Sequence, residues 1–276
     1  MTKIGVLIPT FNRIEKLKQG LEVIENALES VEYRDSFEII VIDDGSTDGT
    51  SNFISKRYPY IILLFGDGNL WWSGAINVGA RYCAENNYDG ILLWNDDILP
   101  CLDYFDKLYK IIEKSNQYTI FGSTIYDKKT HKIWFAGAHY FKWIGIIKHI
   151  HKPKSLSVNC LTGMGTYVPI PVIKEIGYWD NTRFPQYYGD TDFTLSAYEK
   201  GYSITIYDEL KIENDTTSSS FNQEKSIKKY WKSLFLTQSR YNLKKDILFH
   251  KKHAKCFTWV IGFFLKHLKY LISNIM

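Results

Sequence analysis

The sequence predicts an α/β fold: a Rossmann-like, mostly parallel central sheet flanked by helices, with a C-terminal helical extension rich in basic and aromatic residues. Two observations predict the sheet and a third the extension. Short apolar runs alternate with amphipathic stretches of helical period over the first third of the chain, the pattern of right-handed βαβ units. These runs end in polar or Gly-rich turns: Pro9-Thr10-Phe11-Asn12, Asp43-Asp44-Gly45-Ser46, Gly66-Asp67-Gly68-Asn69 and Asn95-Asp96-Asp97. Residues 225–276 hold 12 Lys/Arg against one acid, Asp246, a balance of +11, while the remaining residues carry 22 basic against 29 acidic groups, or −7.

The elements follow in order. Ile4–Pro9 is a strand, Arg13–Glu29 an amphipathic helix, Phe37–Ile42 a strand and Thr47–Lys56 a helix. Ile61–Phe65 is a strand, Trp72–Asn86 a helix, and Gly90–Asn95 a strand whose continuous apolar run marks it as buried on both faces. Beyond it the pattern loosens. The aromatic stretch Ile133–Ile150 reads as strands covering the sheet, and Leu161–Pro169 as a Gly-punctuated strand. Val172–Ile176 begins a short helix, Phe184–Phe193 leads into a helix through Leu195–Lys200, and Tyr202–Ile206 is a last strand. The expected organisation is a body over 1–224, with halves 1–100 and 101–224, and a basic amphipathic helical tail over 225–276.

Composition is globular, with 16% aromatic residues. Cys83, Cys101, Cys160 and Cys256 show neither metal-ligand nor redox-pair spacing, which fits free thiols in a reducing compartment. The chain opens directly on a strand, so no cleavable leader is expected.

Two carboxylates at the end of a core strand, Asp96 and Asp97, ask for a cation, because a buried carboxylate without a partner is costly. Carboxyl strand ends are also where open α/β sheets bind ligands. A surface turn is the competing reading, since Asn and Asp favour turns. In Asp43–Thr50 the carboxylates can hydrogen-bond a base or ribose while Ser46 or Thr47 caps the next helix; a plain βα turn is the alternative. His131, His139, His149 and His151 lack ligand spacing and read as surface or hydrogen-bonded core residues. Trp71, Trp72 and Trp179 suit sugar-stacking walls and core packing equally.

Taken together, IGVLIPTFNR, EIIVIDDGSTDGT, GNLWWSGAINVGAR, GILLWNDD and YYGDTDF resemble the inverting family 2 glycosyltransferases, which have the GT-A fold. The likeness runs over residues 3–215, and the tandem Trp71-Trp72 segment is similar to rhamnosyltransferase-like enzymes of bacterial surface polysaccharide assembly. The resemblance implies nucleotide contacts at Pro9, Thr10, Asn12, Asp43 and Asp96. Trp72, Gly74, Asn77 and Gly163 fall to the donor-sugar region, with Gly74 and Asn77 in a donor loop. Asp97 becomes the main ligand of a Mg2+ or Mn2+ ion, helped by Asp96, with Asn214 and Asp215 as candidate extra ligands where relatives place a His. Asp190 becomes the base that deprotonates the acceptor hydroxyl, and Asp192 orients it or the acceptor. Two departures stand out. Gly189 replaces the usual Glu, leaving space for an acceptor, and Ser196 replaces a later Arg.

Phe257–Ile272 is apolar yet short for a membrane span and interrupted by Lys266, His267 and Lys269, which suits an in-plane helix on an anionic membrane surface. A nucleic-acid partner is not expected, because no recognised nucleic-acid fold accompanies the charge. Packing on the body, or on another subunit in a homodimer, is the other option. The expected function is metal-dependent inverting transfer of a sugar from UDP or dTDP to a glycan, lipid-linked, at the cytoplasmic face of a bacterial cell membrane, in capsule, O-antigen or cell-wall synthesis. A sugar nucleotidyltransferase is the rival enzyme, although Pro9–Arg13 is poor in Gly for a triphosphate loop. A non-catalytic scaffold is the rival from another class.

Overall fold

The structure, a computed structural model, describes residues 2–29, 31–152, 156–215 and 226–275. The boundary expected at residues 224 and 225 lies outside them.

β1 (Ile4–Thr10) pairs in parallel with β2 (Phe37–Asp43), and β2 with β3 (Ile62–Phe65). β4 (Gly90–Leu93) lies on the other side of β1. The register sets Thr10 beside Asp43 and Asp43 beside Phe65, so the polar turns do share one sheet edge, as expected. Between these strands run α1 (Ile14–Glu29), α2 (Thr50–Arg57) and α3 (Trp71–Glu85). α2 starts three residues later than expected because the Asp48 carboxylate accepts the Thr50 N–H and hydroxyl, fixing the turn before it, with Gly49 in the left-handed region at φ +90°.

The second half extends the same sheet. β5 (Ile98–Pro100), α4 (Tyr104–Lys114) and β6 (Ile120–Asp127) follow, none of them anticipated. The aromatic stretch divides into β7 (Ile133–Phe135), β8 (Ala138–Phe141) and β9 (Ile146–His149), of which β8 and β9 form a separate hairpin. β10 (Leu156–Ser157) and β11 (Thr166–Pro169) precede α5 (Ile170–Ile176), and α6 (Gly189–Glu199) precedes β12 (Ile204–Asn214). The strand order β10-β12-β6-β11-β4-β1-β2-β3 makes one sheet of both halves. β11 joins them antiparallel to β4. β12 is twice the length expected because its far end pairs with both β5 and β6, placing Asn214 opposite Ile98.

The core lies on both faces of the sheet. One side packs Leu17, Leu21 and Ile24 of α1 with Tyr104, Phe105 and Leu108 of α4. The other packs Ala75, Ile76 and Ala80 of α3 with Val172, Ile173 and Phe193. Trp179 is stacked on Phe193 at 4.0 Å between centroids and buried there, so it is a core residue and not a sugar wall.

The tail is three helices, α7 (Ile227–Ser233), α8 (Leu243–His253) and α9 (Trp259–Ile275). It packs on the body. The Gly262 N–H donates to the Ile144 carbonyl at 3.0 Å, and a Cβ on Gly262 would stand 2.3 Å from the Gly145 carbonyl oxygen. Glycine at both positions lets α9 cross the β8–β9 turn in backbone contact. The in-plane helix expected over Phe257–Ile272 therefore has one face bonded to protein. Among the described residues no helix is long and apolar enough to cross a membrane.

Candidate active site

The acid pair stands at the carboxyl end of β4. Asp96 is 3% exposed; Thr10 Oγ1 donates to its Oδ2 at 3.1 Å and Arg13 Nη1 lies 2.7 Å from its Oδ1. Arg13 Nη2 donates to Asp97 Oδ2 at 2.6 Å. One guanidinium fork thus spans both carboxylates in charge-assisted bonds. Burial pushes the Asp96 carboxyl up to about 7, with Arg13 opposing and the Asp97 charge adding to the rise. Arg13 was not among the expected site residues. Its place directly after Asn12, at the head of α1, was the available signal.

Hard oxygen donors such as Asp96 and Asp97 fit a divalent cation like Mg2+ or Mn2+. Their number is small: among the described residues no group of three or more His, Cys, Asp or Glu is arranged to hold a metal. Asn214 reaches the neighbourhood through its register opposite Ile98, the residue after Asp97. Asp215 stands 3.5 Å from Lys16 Nζ. The protein side of such a site leaves coordination positions for ligand oxygens.

The turn beside β1 and β2 is tightly knit. Asn12, at φ +51°, donates its N–H to Ser46 Oγ at 2.8 Å and accepts the Thr47 N–H at 2.7 Å. Pro9 lies in β1 beside Ile42. Buried Asp43 accepts the Ser46 N–H at 2.9 Å through Oδ1 and the Ser51 hydroxyl through Oδ2. Both oxygens of Asp43 already serve the turn, with one further lone pair on each. Asp44 accepts the N–H groups of Gly68, Leu70 and Trp71, which fixes the loop into α3 and holds Trp71 at φ +55°.

Trp72 of α3 links the residue after β4 to the backbone beside Asp190. Trp72 Nε1 donates to Asn95 Oδ1 at 3.1 Å. The same indole lies against Gly163, where a Cβ would stand 2.0 Å from its Cζ2. The Gly163 N–H donates to Asp190 Oδ2 at 2.9 Å, and the Thr191 N–H to Asp190 Oδ1 at 2.7 Å. Burial raises the Asp190 carboxyl above its usual range despite these N–H donors.

Three expectations change here. Gly74 and Asn77 lie in α3 and not in a loop. Asn77 is buried and grips the Trp179 backbone, donating to its carbonyl at 2.8 Å and accepting its N–H at 2.9 Å. Gly74 meets Leu70 at 3.3 Å and Asn181 at 3.6 Å where a Cβ would be, so close helix packing accounts for it. A Cβ on Gly189 would stand 2.1 Å from Ser73 Oγ, so that glycine seats α6 against α3 and makes no room for an acceptor.

Asp192 is partnered by the tail instead. Its buried carboxylate meets Lys252 Nζ at 2.7 Å and His253 Nε2 at 2.8 Å, both from α8. Burial lowers the His253 pKa, but the bonds and charges of Asp192 and Glu199 outweigh it, and the net shift is upward. Four residues before Asp192, Tyr188 holds φ +72° and donates its hydroxyl to Asp246 Oδ1 at 2.5 Å. Asp246 is fully buried; Lys266 Nζ and His267 Nε2 donate to its Oδ2 at 2.8 and 2.7 Å. Burial works against its charge, yet His250, His267 and Lys266 hold its carboxyl far below the usual range. These tail partners were missed. The signal available was a lone acid, Asp246, among twelve basic residues.

Away from the cleft, a depression lined by Asn87, Tyr88, Glu113, Asn116 and Lys174 lies toward the amino end of β4 and holds none of these acids.

Residues 5–173 match the family described as Glycosyl transferase family 2. The chain belongs to that family. It is 25% identical over 223 residues to the probable glycosyltransferase YdaM of Bacillus subtilis, an alignment covering 75% of this chain and 49% of that protein. The chain spans less than half the length of the curated relatives it matches first. Among solved structures it superimposes on the mannosyltransferase PcManGT from Pyrobaculum calidifontis in complex with GDP-Man and Mn2+, with a TM-score of 0.62 at 13% identity, covering 99% of this chain and 73% of that one. It also superimposes on GalNAc-T7 with UDP, GalNAc and Mn2+, with a TM-score of 0.61 at 13% identity, covering 99% and 58%. At such identity the likeness is one of fold, and the fold of this family 2 glycosyltransferase is GT-A.

Proposed function

We propose that this glycosyltransferase moves a sugar from a nucleoside diphosphate, UDP or dTDP, to a hydroxyl of a lipid-linked glycan acceptor with inversion, assisted by Mg2+ or Mn2+. The observation that carries the reading is a link through one indole: Trp72 donates to Asn95, the residue before Asp96 and Asp97, and lies against Gly163, whose N–H donates to the partly desolvated Asp190. Asp97, with Asp96, would hold the cation. When bound, it supplies Lewis-acid neutralisation of charge on the departing diphosphate.

The protein's own groups do the rest. Thr10 and Asp96 face the ribose, with Asn12 and Asp43 shaping the base side. Arg13, now paired with both acids, is the cation already in place beside the diphosphate's path. Asp190 takes the acceptor proton at Oδ1 or Oδ2, its basicity raised by burial. A panel of UDP-, dTDP- and GDP-sugars incubated with Mn2+ tests the reading by nucleoside diphosphate release. Release from at least one donor, abolished by chelation, is expected; release of pyrophosphate from a triphosphate instead would favour the nucleotidyltransferase rival.

A peripheral site on an anionic membrane, for a polysaccharide assembled on a lipid, is part of the same proposal. Ile261, Phe264, Leu265, Leu268 and Ile272 are exposed along one face of α9, with Phe257 leading into it and Trp231 and Phe235 exposed on and just after α7. Lysines 228, 232 and 269 are exposed on the same two helices, each adding roughly 1 kcal/mol near anionic lipid. Because the inner face of α9 is bonded to the body, deleting the tail is a poor probe. Replacing Phe264, Leu265 and Leu268 by Ser is the cleaner one. The triple variant is expected to lose flotation with phosphatidylglycerol vesicles; undiminished flotation ends the membrane role of this face.

A further inference from the structure

We infer that the C-terminal helices are part of the transfer machinery: α8 and α9 clamp both flanks of Asp190 and so set where the base stands. This rests on the reading of Asp190 as the base.

Asp190 sits in a short stretch whose two ends are each held by the tail. On the upstream side, Tyr188 is a bulky residue at positive φ, a conformation that costs of order 1–3 kcal/mol and persists only where its surroundings impose it. Those surroundings come from the tail. The Tyr188 hydroxyl donates to Asp246 of α8 and accepts from Lys266 Nζ of α9, both at 2.5 Å. Its ring is stacked on Phe249 of α8 at 4.7 Å between centroids, and Lys266 Nζ stands 5.0 Å from the ring centroid. On the downstream side, both Asp192 oxygens are held by Lys252 and His253 of α8, and His253 Nδ1 reaches Glu199 at the far end of α6, 3.1 Å away. The Asp192 N–H closes the first turn of α6 on the Tyr188 carbonyl at 2.7 Å, so the two clamps act on a single helical turn with Asp190 inside it.

Within α6 the turn has local bonds, the Thr191 N–H to Asp190 Oδ1 and Thr194 Oγ1 to the Asp190 carbonyl at 3.0 Å. Its ends are tied differently: Tyr188 makes no side-chain cap and Gly189 carries no side chain, and the side chains that hold Tyr188 and Asp192 lie more than 50 residues away in the chain. The anchorage itself is firm: Asp246 is also tied through His250 to the Tyr140 hydroxyl, so the clamp stands on the β8–β9 hairpin as well. Tyr188, Asp246, Lys266, Lys252 and His253 are therefore positioning residues, acting through Asp190 and touching no reacting atom.

The test uses the full chain with Tyr188→Phe, which keeps the ring stack and removes the hydroxyl, and His253→Gln. Three measurements are made on each: amide exchange of the segment 187–193, affinity for UDP with Mn2+ by calorimetry, and turnover of the donor found in the panel. Exchange of that segment is expected to rise at least about tenfold with β4 unchanged, and turnover to fall at least about tenfold while nucleotide affinity stays within about twofold. Unchanged exchange in both variants overturns the clamp, and so does raised exchange with unchanged turnover. A parallel loss of nucleotide affinity and thermal stability would overturn it as a specific device, marking the tail as a general prop. Failure of the base reading shows separately, as full turnover in Asp190→Asn.

Discussion

Asp190→Asn is expected to lower transfer by about 10²–10⁴-fold while leaving affinity for a nucleoside diphosphate with Mn2+ within about twofold. The size follows from what the carboxylate alone can do. An amide of the same shape keeps one of the two N–H groups that the carboxylate accepts, from Gly163 or from Thr191, but it takes no proton. Donor binding is expected to survive because the proposed nucleotide contacts lie at the ends of β1, β2 and β4, not on α6. The pH profile supplies an independent sign. Burial raises the Asp190 carboxyl, so activity is lost as pH falls through a value above the ordinary 3.8, and that acid limb should vanish in the variant. Wild-type-like turnover in Asp190→Asn would remove the residue from the mechanism. Asp192 would not inherit the role, since Lys252 and His253 hold it as a charged partner.

Asp97→Ala is expected to weaken nucleotide binding in the presence of Mn2+ by at least about tenfold, or ~1.4 kcal/mol, with little change in the metal-free affinity. Asp97 is the less buried of the acid pair, and Arg13 Nη2 pairs with its Oδ2. It is the member a cation can reach. Arg13 complicates the site in a useful way, because its guanidinium competes for the oxygens a cation would use. Arg13→Gln should therefore tighten metal binding in the absence of nucleotide, opposite in direction to Asp97→Ala. Calorimetric titration of Mn2+ with and without UDP reads both. Unaltered metal dependence in Asp97→Ala would take the residue out of the ligand set.

The half of the fold most legible in the sequence is the half made by local rules. β1 to β4 and α1 to α3 are short apolar runs and amphipathic stretches in strict alternation, and the turns between them carry their own signals in Gly, Asp and Ser. What escaped depends on distant partners. The far half of β12 exists because β5 and β6 lie beside it, and nothing in Asp208–Asn214 announces that pairing. α4 is a case where the signal is present in the sequence, since Tyr104, Phe105, Leu108 and Ile111 form a clear apolar face at helical spacing. The same division runs through the site. Asp96 and Asp97 follow β4 and Asp190 lies in the first turn of α6, the elements the spacing placed them on, while Asp192, Asn77 and Gly74 have structural partners that sequence spacing could not reveal. The clamp was the hardest to see, since its halves are the acids of α6 and the histidines and lysines of two helices read only as a charged tail.

The packing of Trp72 has a mechanical consequence. One edge of its indole, from Nε1 to Cζ2, meets both the Asn95 amide just after β4 and the Gly163 backbone that donates to Asp190. A tilt of that single ring would therefore be felt on both sides at once, as a shared hinge pin ties two leaves.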